Sequence, residues 1–224
     1  MVRAGAALAL SGCDQPLSTL DPAGPAASSI ATLWWVMLAV AAVLFALVMV
    51  LWVLVIKRPG WGSNVSPTRW IALGGLALPA IVLLPLIAYA LIAGERLLPL
   101  SGRTPMQIDA VARQWSWSFR YPDHDGLVTN VLHLPAGTPV DINVTSDDVI
   151  HAFWVPRLAG KIDALPGHVN RLRIRADTPG RYEGLCNEFC GLGHAKMRFT
   201  VIVHAPQDYA TALTQLDTTT KAPR

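Results

Sequence analysis

Residues 186–197 read Cys186-Asn187-Glu188-Phe189-Cys190-Gly191-Leu192-Gly193-His194-Ala195-Lys196-Met197. Two thiols, an imidazole and a thioether fall at the spacing C-x3-C-x3-H-x2-M. A further histidine, His151, closes the upstream run Asp147-Asp148-Val149-Ile150-His151. Thiolate and imidazole serve zinc and copper alike, but thioether is a copper ligand and is rare at zinc. A blue-copper site takes one Cys, two His and a weak Met, which is one thiolate fewer than this stretch carries. Two thiolates four residues apart suit instead a bridged pair of copper ions. Each ion then takes one histidine, and Met197 and a backbone carbonyl fill the remaining positions. A short disulfide between Cys186 and Cys190 is the alternative that the cysteines alone leave open.

The residues around this cluster alternate as strands do. Gln107–Tyr121, Leu127–Leu134, Val140–Thr145, Val149–Val155, Val169–Ala176, Arg181–Asn187 and Lys196–His204 are short β-type runs. Turn clusters separate them, among them Pro135-Ala136-Gly137, Pro166-Gly167 and Thr178-Pro179-Gly180. Strands at this spacing predict an all-β sandwich or barrel over residues 105–205. Within it, Gln114-Trp115-Ser116-Trp117-Ser118-Phe119 places aromatics at alternating positions, the pattern of one packed strand face. A short helix, Gln207–Gln215, and a tail close the chain over 206–224.

Before residue 100 the chain is of another kind. Hydrophobic residues make up 52% and charged residues 15% of the 224 residues, and the apolar excess lies in this first part. Residues 30–56 and 70–94 carry no charge, and at ~1.5 Å per residue each is long enough to cross a ~30 Å hydrocarbon core. The loop between them, 57–69, carries Lys57, Arg58 and Arg69 and no acid, which places it in the cytoplasm and both termini on the opposite side. Trp34 and Trp35 stand where an interfacial anchor is expected. Residues 1–13 end in Leu10-Ser11-Gly12-Cys13 and read as a lipoprotein signal with Cys13 as the acylated residue. Residues 14–29, rich in Pro, Gly, Ala and Ser, read as an extended linker. From Ser101 onward thirteen Lys/Arg face twelve Asp/Glu, so no basic stripe speaks for nucleic acid. His124, His133 and His204 match no motif and read as ordinary turn or strand residues.

The run C-x-E-x-C-G-x-x-H-x-x-M, preceded by D-V-I-H-x-F-W-V-P and D-A-L-P-G-x-x-N, resembles subunit II of bacterial haem-copper cytochrome c oxidases over roughly residues 25–205. The resemblance implies a two-helix transmembrane hairpin followed by an all-β cupredoxin-like Greek-key barrel, in the bacterial inner membrane with the barrel in the periplasm. It implies a binuclear copper centre bridged by Cys186 and Cys190. His151 and His194 each terminate one copper, Met197 is the weak ligand, and Glu188 ligates through its carbonyl. It further implies a magnesium ion on the Glu188 side chain at the interface with oxidase subunit I, and Asp163 near that interface. Trp115 becomes the residue through which electrons arrive from cytochrome c, and Asp147 and Asp148 become docking acids. Other oxidase subunits and membrane lipid complete the partners. No C-x-x-C-H motif is present, so no covalent haem attaches to this chain.

Three positions depart from the family pattern. No acid occurs between Arg69 and Gly94, where the family often carries a glutamate near Ala72. Ser116 stands for a common Tyr, and His168 for an Arg. The rival readings are a quinol oxidase subunit II, whose chains typically lack the copper ligands, the copper domain of nitrous oxide reductase, and a membrane-anchored copper chaperone.

Overall fold

The structure is a computed structural model that describes residues 15–97, 106–122 and 126–220. Cys13 lies outside these residues. The chain divides into two units, one comprising residues up to Ala31 together with those from Leu98 on, the other Thr32–Leu97.

The first unit is built on ten strands: β1 Met106–Arg113, β2 Ser116–Arg120, β3 Val128–Thr129, β4 Val131–Pro135, β5 Val140–Ser146, β6 His151–Trp154, β7 Ile162–Ala164, β8 Asn170–Ile174, β9 Gly180–Cys186 and β10 Arg198–His204. They form two five-stranded sheets, ordered β3-β2-β1-β5-β8 and β4-β10-β9-β6-β7. The β1–β5 and β4–β10 pairs are parallel and the rest antiparallel. The expected Greek-key barrel thus takes a flattened two-sheet form. Period-two alternation turns one face of each sheet inward: Ile108, Ala110 and Ala112 on β1, Trp117 and Phe119 on β2, Val140, Ile142 and Val144 on β5, and Phe199, Val201 and Val203 on β10 are buried. Trp117, Phe119, Phe153 and Phe199 meet at the centre with ring centroids 4.9–6.5 Å apart, a spacing favourable for aromatic pairs. Gly184 faces Phe199 across β9 and β10. A Cβ on Gly184 would come within 2.1 Å of that ring, so only glycine fits.

Local structure differs from the sequence expectation in instructive places. Gln107–Tyr121 is two strands joined by a tight turn at Gln114 and Trp115, because Arg113 pairs with Ser116. Leu127–Leu134 breaks at Asn130, whose φ is 57° and whose side-chain carbonyl accepts from Trp117 N at 2.8 Å. β7 (Ile162–Ala164) is an additional strand between the expected runs Val149–Val155 and Val169–Ala176. Helix α4 spans Pro206–Thr220, longer than Gln207–Gln215.

The supposed linker 14–29 is also different. Helix α1 (Pro25–Lys57) starts inside it, and the segment before α1 is fastened to the β-domain. Arg157 Nη2 meets Asp21 Oδ2 at 2.6 Å, and Arg157 Nε donates to the Asp21 carbonyl at 2.8 Å. Ala23 N donates to Arg157 O at 2.7 Å and Asp177 N to Ala23 O at 2.9 Å. Ala23 and Ala26 pack against the β-domain core. Small residues that read as flexible in sequence here allow close approach.

In the second unit, α1 and the helical stretch from Pro67 to Glu95 are long and apolar enough to cross a membrane. The latter comprises α2 (Pro67–Trp70), a π-helical turn Ile71–Ala77 and α3 (Leu78–Leu97). Leu78 N donates to Leu73 O, five residues back. The wide turn directly precedes Pro79, whose missing N–H removes a bond that a regular α turn would use.

His133 and His204 correct the reading of both as ordinary residues. His133 Nδ1 and His204 Nε2 lie 2.8 Å apart. The rings are tilted by only 8° with centroids 5.1 Å apart, so they meet edge to edge and share a proton in line. Tyr121 Oη accepts from His133 N at 2.7 Å. Burial, and secondarily the His204 charge, push His133 down to about 4, and burial lowers His204. A histidine whose folded pKa is depressed contributes stability above its unfolded pKa of ~6.5 and loses it as the unfolded state takes up protons. The β-domain is therefore expected to lose up to about 3 kcal/mol between pH 6.5 and 4 through His133. Denaturant midpoints followed by tryptophan fluorescence check this, and His133→Leu should flatten the dependence in that window.

Candidate metal centre

Strand ends and one loop bring the ligand types together. His151 opens β6 and Cys186 closes β9, with Phe153 directly opposite Cys186. The loop after Cys186 is tied at both ends: Asn187 N donates to Ala152 O at 3.0 Å, and Cys186 N donates to Met197 O at 2.9 Å. A 3-10 turn, His194–Lys196, delivers Met197 back to the start of β10. His151, Cys186, Cys190 and Met197 are all buried.

The distances describe a preformed cluster. Cys186 Sγ and Cys190 Sγ are 3.8 Å apart and both cysteines are free. A disulfide would require ~2.05 Å, so the bridged alternative does not form. His151 Nδ1 lies 3.7 Å from Cys186 Sγ, and His194 Nδ1 lies 3.7 Å from Cys190 Sγ. Met197 Sδ is 3.8 Å from Cys190 Sγ, and the Glu188 carbonyl is 3.3 Å from Cys186 Sγ. Metal–thiolate bonds of ~2.3 Å let one ion reach two sulfurs up to ~4.6 Å apart. The sulfur pair can therefore be bridged as it stands. Two thiols, two imidazoles, a thioether and a carbonyl fit copper better than zinc.

Charge is arranged around the pair. Burial first, and then the neighbouring Cys186, push the Cys190 thiol up to about 12, so a metal that binds there must displace a proton. His151 Nε2 lies 2.8 Å from Asp148 Oδ1. A carboxylate only accepts, so the ring carries its proton on Nε2 and leaves the Nδ1 lone pair for the cluster. Asp148 also accepts from Gln114 N at 2.8 Å and Val149 N at 2.6 Å. Partial burial opposes ionisation of Asp148, but the Gln114, His151 and Val149 hydrogen bonds outweigh it and hold the carboxyl down to about 2. Asp148 is thus turned inward, while Asp147 faces solvent.

Trp115 sits at the β1–β2 turn, 42% exposed. Its Nε1 donates to the Cys190 carbonyl at 3.1 Å, and Gln114 Nε2 donates to the same carbonyl at 2.8 Å. A Cβ on Gly193 would fall 2.3 Å from the indole, so glycine there lets the ring lie on the loop. The Glu188 carboxylate meets Lys161 Nζ at 3.3 Å, while its carbonyl faces Cys186 Sγ. Asp163 is exposed in this chain. Sequence reasoning passed over Gln114 as a contact to the loop and over the inward role of Asp148. The adjacency of Gln114 to Trp115 was the one available signal.

A carboxylate that fixes the tautomer of a ligating histidine typically adds 10–100-fold to metal affinity. Asp148→Ala is expected to weaken copper binding by about that factor, measured by competition with a copper chelator, with Asp148→Asn intermediate.

The family profile described as cytochrome c oxidase subunit II, periplasmic domain, matches residues 126–205. Cytochrome c oxidase subunit 2 of Thermostichus vulcanus is 44% identical over 111 residues, covering 49% of this chain and 33% of that protein. The protein of the same description from Alkalihalophilus pseudofirmus is 30% identical, covering 90% of this chain and 63% of that protein. Ubiquinol oxidase subunit 2 of Acetobacter aceti is 29% identical, covering 91% of this chain and 70% of that protein. The chain thus spans between a third and two thirds of the length of the cytochrome oxidase relatives it matches here. Among solved structures, the periplasmic domain of subunit II of cytochrome oxidase of Bradyrhizobium japonicum aligns with a TM-score of 0.51 at 29% identity, covering 55% of this chain and 100% of that domain. Residues 126–205 thus match the periplasmic domain of cytochrome c oxidase subunit II, and two apolar helices precede this cupredoxin-like β-domain.

Proposed function

We propose that this chain is the electron-accepting subunit of a respiratory terminal oxidase of the bacterial inner membrane. It receives electrons from cytochrome c at Trp115 and delivers them to haem in subunit I for oxygen reduction coupled to proton pumping. The observation that carries this reading is the direct hydrogen bond from an exposed indole to the main-chain carbonyl of Cys190, whose thiol is buried in the cluster. A copper pair bound by Cys186, Cys190, His151, His194, Met197 and the Glu188 carbonyl supplies one-electron capacity with little rearrangement.

The chain's own residues supply the rest. The two sheets fix His151 and Cys186, and the doubly tied loop fixes Cys190, His194 and Met197. Burial keeps water from the sulfurs. Trp115 and Gln114 hold the Cys190 carbonyl from the solvent side. Glu188 offers its carbonyl inward and its carboxylate outward, the polarity required for a magnesium ion at the contact with subunit I. In this chain alone Lys161 neutralises that carboxylate. Of the two acids expected to dock a donor, Asp147 alone faces solvent fully. Positive-inside logic keeps residues 57–69 cytoplasmic, and acylation of Cys13 adds a lipid anchor on the opposite side.

A quinol oxidase subunit II and the copper domain of nitrous oxide reductase share parts of this sequence pattern. The complete set of sulfur and imidazole donors, all buried but the half-buried His194, weighs against the first, and two membrane-length helices against the second.

Trp115→Phe removes the indole N–H while keeping an aromatic ring. Stopped-flow reduction by cytochrome c is expected to slow at least about tenfold, an effect of ~1.4 kcal/mol on the barrier, with copper content unchanged. An unchanged rate would remove Trp115 from the path. Glu188→Gln keeps the carbonyl, so copper content and spectrum should persist while magnesium is lost. Loss of copper in that variant would contradict the division of roles.

A further inference from the structure

The residues around Trp115 are apolar where the docking site of a lysine-rich donor would be acidic. Leu192 is fully exposed at 100%, held between Gly191 and Gly193, the two residues on which the indole lies. Across the turn, Val149 is 40% and Ile150 48% exposed, tied to Gln114 through Asp148. A single exposed aliphatic is ordinary on a protein surface; Leu192 stands out because it sits on the loop against which the Trp115 indole lies. Two side chains hold the Cys190 carbonyl and two backbone bonds close the loop's ends, which keeps the loop rigid. Little ordering entropy then remains to be lost on docking.

The charges near this patch do not add up to an acidic rim. Asp148 is committed to His151, Gln114 and Val149. Glu188 is paired with Lys161. Among the described residues next in sequence to this turn and loop, that leaves Asp147 against the exposed cations Arg113 and Lys196. A donor ringed by lysines would find one carboxylate and two like charges.

We infer that this face docks its electron donor by apolar contact centred on Leu192 beside Trp115, and that the donor carries an uncharged, apolar surface around its haem edge. The inference rests on the proposed role of Trp115 and names the class of partner that role would serve. Charged rims act mainly through association rate and its salt dependence; an apolar dock should show little of either.

The test uses the assembled oxidase in detergent and two cytochromes c, one with a lysine-ringed haem edge and one with an uncharged edge. With the uncharged donor, the second-order rate should change less than about threefold between ~10 mM and ~200 mM ionic strength, over which the screening length shortens severalfold. Leu192→Ser should raise KM about tenfold with kcat unchanged, the loss of one buried leucine contact, and Leu192→Met should restore it. Direct calorimetric titration with the uncharged donor should show the same loss of affinity. The inference is overturned if the lysine-ringed donor is preferred and Asp147→Asn abolishes that preference. It is equally overturned if Leu192→Ser leaves KM unchanged, or if it releases the chain from the oxidase, which would place Leu192 against another subunit. Trp115→Phe at saturating donor separates the two layers: an unchanged kcat there defeats the role of Trp115 itself, whatever Leu192 does.

Discussion

Two buried thiols stand 3.8 Å apart without a bond between them, and the β-domain is arranged to keep them so. Each sulfur faces one imidazole nitrogen at the same 3.7 Å distance. The spacing is too long for a disulfide and short enough for shared metal ligation. It depends on a strand end, which cannot move without breaking the sheet, and on a loop stapled through Cys190 by Gln114 and Trp115. The aromatic core of Trp117, Phe153 and Phe199 lies behind it, with Trp117 edge-on to His151. Stability and function therefore draw on the same contacts.

The contacts that hold the cluster also set how it meets its surroundings. The Asp148 carboxylate, which might have faced solvent, is spent on orienting His151 and on closing the β1–β2 turn. Trp115 takes the position between loop and water. Glu188 divides its two oxygen functions, one towards the sulfurs and one towards Lys161.

Much of this was legible in the sequence because the ligands are local. All but His151 fall within residues 186–197, and alternation in β1, β5 and β10 reports which side chains face in. What escaped was set by distant partners. The alternation Trp115-Ser116-Trp117-Ser118-Phe119 continues through a position where hairpin register forces a turn, so Trp115 reads as core until Arg113 is paired with Ser116. Asp148 reads as a free turn acid because Gln114 is 34 residues away. The stretch before α1 reads as linker because Arg157 and Asp177, which hold it, come more than a hundred residues later. The His133–His204 pair joins two strands that lie far apart in sequence, and no local pattern announces it.

The most direct measurement is an electron paramagnetic resonance spectrum of the oxidised, copper-loaded chain together with its copper content. One unpaired electron shared evenly by two equivalent coppers, with two coppers per chain and loss of both on replacing either Cys186 or Cys190, is the expected result. The hyperfine pattern of a single copper ion, or retention of the paired signal after one of those cysteines is removed, would contradict it.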